Sequence, residues 1–260
     1  MKFFIFSIVF ITGIQFSGYA QQWEIGKTIG NTSFIGDLNP DNTLKIGGVH
    51  AGVYIKRDFD GYFGLALEYN FGNFKADDSK NSNEIYKQRN LNVNTNLNEV
   101  NFNMQFNFFE FMQGIGKSKF TPFIYSGVGV VFFQPTTTYN GKRYNLSELN
   151  TEGRDVPYRT NAIVIPYGVG ARLALNEKIQ LNAKVGFRET FTDYLDDVSG
   201  LYPDKFKLDD LSRALSDRSG EKTNNYIGNY RTQRGDLRKR DRYMFVGLGI
   251  SFTFVSSRCY

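Results

Sequence analysis

The chain has 260 residues, 41% hydrophobic and 16% aromatic, with 25 Phe, 16 Tyr, 26 Gly and only 6 Pro. A formal net charge of +5 is too mild to imply nucleic acid, and one His and one Cys exclude the familiar zinc and haem ligand sets. Abundant aromatics and glycines without long apolar runs favour many short strands over helices.

The first element is the only long apolar run. Lys2 precedes FFIFSIVFITGIQF, and a small-residue ending, SGYA, closes it at Ala20. This is the pattern of a secretory signal peptide over residues 1–20, cleaved between Ala20 and Gln21. No Cys stands near that point, so a lipoprotein is not expected. Loss of Lys2 lowers the net charge from +5 to +4 (5 − 1). No later run reaches the ~20 apolar residues of a membrane helix. The mature chain, 21–260, is therefore read as one domain that crosses a membrane, if at all, with strands.

Eight segments then follow, most of them alternating with period 2. The first, Trp23–Ile35, is the least regular, since Ile25 and Ile29 share a face with Lys27 and Asn31. In the second, Gly47–Arg57, the apolar set is Val49, Ala51, Val53 and Ile55; in the third, Tyr62–Phe71, it is Phe63 through Phe71. The fourth, NEVNFNMQFNFF (Asn98–Phe109), places Val100, Phe102, Met104, Phe106 and Phe108 on one face and Glu99, Gln105 and three Asn on the other. The fifth, Phe120–Phe133, is apolar on both faces but relieved by Gly127 and Gly129. The sixth, Asn161–Leu175, the seventh, Ile179–Arg188, and the eighth, Met244–Phe254, alternate again. The eighth ends on Phe252 and Phe254, the aromatic finish of a closing strand, before a short tail at 255–260.

Connections decide which face is dry. Those after segments two, four and six are short (Asp58–Gly61, Glu110–Lys119, Asn176–Lys178), and those after three, five and seven are long (Gly72–Thr95, Gln134–Thr160, roughly Leu195–Asp241). A soluble sandwich or lipocalin-like barrel has no need of that asymmetry; bacterial outer-membrane barrels have it. The fold expected is all-β: an eight-stranded antiparallel transmembrane outer-membrane β-barrel with short periplasmic turns and long extracellular loops. Glu68, Glu99, Lys56, Arg172, Lys184 and Arg188 then face the lumen and must pair there. The opposite face is nearly free of charge, with Lys27 placed to snorkel at an interface.

Chemistry is sparse. Eight strands leave a lumen filled by side chains, so a porin is not expected. A hydrolase built on His50, the only His, is weaker than a hydrogen-bonded packing role, and no cofactor or catalytic set is expected. Cys259 in the periplasmic tail is either a free thiol or one half of an intermolecular disulfide. The loop after segment seven carries Asp193, Asp196, Asp197, Asp204, Asp209 and Asp210, then a basic run from Gln233 to Arg242. Ion pairs folding this loop over the barrel mouth are favoured over binding of lipopolysaccharide phosphates or a partner protein. Arg234-Gly235-Asp236 spells an integrin tripeptide of a length expected by chance.

GDLNP (Gly36–Pro40), FTPFIYSGVGVVFFQPTTTYNGKRY (Phe120–Tyr144), RETFTDYLDDVSG (Arg188–Gly200), LSDRSG (Leu215–Gly220) and RGDLRKRDRYMF (Arg234–Phe245) resemble the PorG family. These are barrel proteins of the type IX secretion system of Bacteroidetes. The block with Thr192, Asp193, Tyr194, Asp196 and Asp197, with Arg234, is its most specific part. Arg143 and Asn150 stand where an aromatic residue and a Gly are expected. The resemblance implies a non-enzymatic outer-membrane component of protein secretion, partnered by a PorK-like lipoprotein and a PorN-like periplasmic ring protein, and in gliding species linked to motility. The candidate docking surface is the three short turns and the tail, with Cys259 as its thiol and Phe111, Met112 and Ile115 either as its apolar contacts or, equally, as a turn dipping into the lipid interface. The alternative is a stand-alone barrel serving envelope integrity or lipopolysaccharide binding.

Overall fold

The computed structural model describes residues 22–39, 46–81, 83–114, 117–236 and 238–255. Its strands are β1 (Gln22–Ile35), β2 (Ile46–Asp58), β3 (Phe63–Asp77), β4 (Asn92–Asn107), β5 (Phe120–Tyr139), β6 (Lys142–Asn145), β7 (Asn161–Ala174), β8 (Ile179–Thr190) and β9 (Arg242–Val255). Their order is β4-β3-β2-β1-β9-β8-β7-β5-β6, and a β4–β5 ladder closes the ring. β6 is only the return arm of a hairpin on the end of β5. The barrel proper therefore has eight strands, each antiparallel to its neighbours. Residues 1–21, with Ala20 and Gln21, together with Ile115 and Cys259, lie outside the described residues.

Polarity is inside-out over the lower barrel. Ile29 and Leu248 are each 69% exposed on the outer wall, whereas Lys56 is 1% and Glu24 0% exposed inside. A band of such residues in water would forfeit the main driving force of folding; against hydrocarbon it costs nothing. The wall is that of a membrane-spanning barrel.

The upper barrel reverses this chemistry without a change of phase. In β4 every odd-numbered residue points inward, from Val93 to Asn107. Between Glu99 and Asn107 that inner face is acid and amide; between Leu91 and Leu97 it is Leu, Val, Thr and Leu. The outer face switches at the same level, from Phe106, Met104, Phe102 and Val100 to Asn98, Asn96, Asn94 and Asn92. The β3–β4 register runs unbroken across the change, from Phe63↔Phe106 to Asp77↔Asn92, so no bulge causes it. The strand has left the membrane. Above that line the protein is an ordinary water-facing barrel, with a core of Phe34, Phe74, Leu97, Phe133, Leu195 and their neighbours.

This shortens two of the expected loops. β3 continues to Asp77 and β4 begins at Asn92, where a loop over Gly72–Thr95 was expected; β5 continues to Tyr139, within the expected loop Gln134–Thr160. Chain read as connection is strand standing above the bilayer.

The lumen is filled by paired charge. Lys56 Nζ lies 2.5 Å from Glu24 and 2.9 Å from Asp58, and Arg172 lies 2.6 Å from Glu24. Higher up Lys184 meets Glu68 at 2.7 Å and Arg188 meets Glu99 at 3.4 Å. An ion taken from water costs several kcal/mol unless partnered, so the acids and bases of the inner wall act as one network. Inward glycines make room for it. A Cβ on Gly186 would overlap the Tyr125 hydroxyl, and one on Gly26 the Tyr54 ring.

The turn between β4 and β5 closes the lower mouth. The Gln113 backbone N–H donates to Gln22 Oε1 at 3.0 Å, Gln22 Nε2 returns a bond to the Gln113 carbonyl at 2.6 Å, and Thr253 Oγ1 donates to Gln113 Oε1 at 2.5 Å. Phe111 is 3% exposed, with the Arg172 guanidinium 5.5 Å from its ring centre. Expected as a solvent-facing contact, it instead faces into the barrel. The reason is the Gln113 anchor, which pulls the turn up into the mouth. Met112 is half-buried beside it.

Candidate functional site

The four upper connections converge on a cap over the upper mouth, and two buried arginines organise it. Arg89 ends a short helix (Glu84–Arg89) and is 4% exposed. Its guanidinium donates to Asp78 at 2.7 and 2.9 Å, to the Arg234 carbonyl at 2.6 Å and to the Asp37 carbonyl at 2.8 Å. Arg234, 2% exposed, donates to Glu152 at 2.9 Å, to the Asp197 carbonyl at 2.7 Å and to the Ser216 carbonyl at 3.2 Å. A guanidinium has five donors in a fixed fork, so one side chain can tie several loops.

The block from Thr192 to Asp197 is the hub. The Thr192 carbonyl accepts the Asp241 N–H at 2.9 Å, which joins the two ends of the loop between β8 and β9. Tyr194 stacks on Tyr158 at 4.3 Å, and its hydroxyl donates to Glu152 at 3.2 Å. Asp196 accepts the Leu38 N–H at 3.0 Å and the Val198 N–H at 3.1 Å. Asp197 accepts Thr151 Oγ1 at 2.5 Å and the Tyr158 hydroxyl at 2.6 Å, with Arg234 at 3.6 Å. Burial pushes its carboxyl up to about 6, against the pull of Arg234.

A second set of acids meets beside this hub. Asp37 comes from the β1–β2 connection, and Asp193 and Asp241 from opposite ends of the β8–β9 connection. One carboxylate oxygen of each lies within 4.8 Å of the others. The Asp236 N–H donates to Asp37 Oδ1, and the Leu195 N–H donates to Asp241 at 2.9 Å. Burial and mutual repulsion hold Asp37 and Asp241 well above the ordinary carboxylate range, and burial lifts Asp193 to about 6. None of the ion pairs among the described residues reaches these three.

The family resemblance singled out Thr192, Asp193, Tyr194, Asp196, Asp197 and Arg234 as a loop motif, and the structure places all six in the cap, with Arg234 against Asp197. Asp37, Asp78, Arg89, Glu152 and Asp241 were not singled out. GDLNP and the basic run held two of them, but nothing local says which acid reaches the centre. The tripeptide at Arg234 is inaccessible as a ligand, because Arg234 is buried. Phe252 and Phe254 face outward, 40% and 49% exposed, with rings 4.9 Å apart. His50 stacks on Phe245 at 4.1 Å, with Nε2 3.0 Å from Asn70 Oδ1.

Residues 2–214 match the family described as "Domain of unknown function (DUF6089)". The chain belongs to the DUF6089 family. No curated protein sequence matches it. Among solved structures, the DUF6089 chain is similar to the outer membrane protein OprG of Pseudomonas aeruginosa, at 11% identity and TM-score 0.45, covering 91% of this chain and 97% of that one. It is also similar to Neisserial surface protein A, at 10% identity and TM-score 0.41, covering 91% and 98%. A third is Ail, the attachment invasion locus protein of Yersinia pestis, at 8% identity and TM-score 0.44, covering 91% and 100%. In the DUF6089 chain the cap joins loops contributed by almost the whole barrel.

Proposed function

We propose that the protein is a non-enzymatic outer-membrane component of the type IX secretion machinery, exported by residues 1–20, that anchors or organises a periplasmic ring of PorK-like and PorN-like proteins. The observation that carries the structural part of this reading is the closed lumen. Paired charges fill it, the Gln113 turn closes one mouth and the cap the other. Such a body offers surfaces, not a conduit. The secretion part is supported by the loop blocks that resemble PorG, which build the hub of the cap.

A tagged chain is recovered from mildly solubilised, alkylated envelopes, and its companions are identified by mass spectrometry. PorK- and PorN-like proteins are the expected companions, with lost export of many cargo proteins on deletion. Cys259→Ser then tests a disulfide to the ring. Recovery of the barrel alone, with export intact after deletion, overturns the secretion reading.

One observation favours the alternative of an envelope barrel that binds lipopolysaccharide. Arg238, Lys239 and Arg240 are exposed at the cap rim, and the Arg240 guanidinium lies 4.2 Å from the ring centre of the exposed Phe191. An aromatic at the membrane edge under a cationic cluster suits a phosphate-bearing headgroup. Co-purified lipopolysaccharide that is lost on substituting all three with Ser is the expected result for that reading.

A further inference from the structure

We propose that Asp37, Asp193 and Asp241 bind one divalent cation of the calcium type, which clamps the β1–β2 connection to both ends of the β8–β9 connection. The argument is geometric. Calcium–oxygen bonds of roughly 2.3–2.6 Å keep any two ligand atoms on one ion within about 5 Å of each other. The three carboxylates already present oxygens within 4.8 Å. All donors are hard oxygens, which select calcium or magnesium over softer metals. Three protein carboxylates drawn from two connections suit calcium better, because magnesium keeps most of its water and takes one or two.

A second observation points the same way. Asp37 is 1% exposed, and its Oδ2 meets no hydrogen-bond donor among the described residues. A buried carboxylate oxygen without a donor is costly, and a cation is the partner that removes the cost. The carboxylates are also held in place from behind. The Asp236 N–H fixes Asp37 through its other oxygen, and the Leu195 N–H fixes Asp241. Nearby basic groups are engaged elsewhere: Arg89 with Asp78, Arg234 with Glu152, and Arg238 with Asp236 at 3.3 Å. The site stands apart from the secretion role, and its test does not depend on it.

The experiment uses the full-length folded protein in detergent micelles, stripped with EGTA and titrated with calcium by calorimetry. Limited proteolysis of the cap runs in parallel, and the mobility shift of unboiled samples in gels reports the folded barrel. The expected result is one calcium per chain, with a dissociation constant of about 10⁻⁴ M or tighter. At ten times that concentration the open cap, and so its cleavage, falls about tenfold. Asp37→Asn and Asp241→Asn should each abolish the calcium response while leaving the barrel folded. Asp210→Asn, at an exposed acid of the same loop, should bind calcium as wild type does. No calcium binding by wild type, a response kept by either Asp37→Asn or Asp241→Asn, or equal protection by magnesium at the same concentration would overturn the proposal.

Discussion

At the residue scale, the cap depends on a few buried ions whose partners come from other loops. Arg234→Ala leaves Glu152 and Asp197 buried without their cation, and removing one partner of a buried pair typically costs about 3–5 kcal/mol. Amide exchange across the β8–β9 connection should accelerate accordingly, with the barrel strands unaffected. Asp197 gives the cap a pH dependence. Its carboxyl is raised to about 6, so the folded state holds the proton more tightly than the unfolded chain does. That stabilisation is complete below about pH 4 and is lost as the pH rises through 6, a change of order 3 kcal/mol. Asp197→Asn should flatten this part of the profile in EGTA, measured by exchange corrected for its intrinsic pH dependence. Asn150 shows the same economy in the backbone. It takes φ 48°, a left-handed conformation that Gly adopts freely and that Asn tolerates better than most residues. An Asn in place of the expected Gly thus keeps the turn.

At the element scale, β4 carries the main lesson. Its sequence NVNTNLNEVNFNMQFN alternates throughout, but the apolar residues change sides near Asn98. A rule that seeks one dry face ends the strand there. The backbone continues, because alternation specifies only which residues share a face, and the solvent outside each face decides which chemistry it carries. Phe102→Arg places a charge against lipid, at about 2–4 kcal/mol near the midplane. Asn96→Arg, on the same outer face of the same strand, lies above the reversal and should be tolerated. Folding yield into vesicles checks both, and equal loss in the two would mean that the membrane boundary lies elsewhere. The Gln113 turn is the other departure. Length and apolar content suggested an exposed periplasmic surface, whereas its hydrogen bonds to Gln22 and Thr253 make it a stopper.

At the scale of the whole molecule, the protein is a membrane barrel with a water-soluble barrel stacked on it and loops sealing the top. Among the described residues, paired charges occupy the lumen and anchored loops cross both mouths, so the protein reconstituted in planar bilayers should show no stable open conductance; a steady open channel would contradict the packed lumen. Strand number, strand direction and the inward turn of the charged face were all set by the sequence alone, because they depend on period 2 and on loop length, both local properties. The charge pairs of the lumen followed once the face was known, since a narrow closed wall leaves acids and bases no other partners. Only the tertiary structure decided where the membrane ends, that Phe111 turns inward, and that Asp37, Asp193 and Asp241 share one point. Those outcomes depend on how loops from distant parts of the chain settle against one another over a closed ring, and no local period records that.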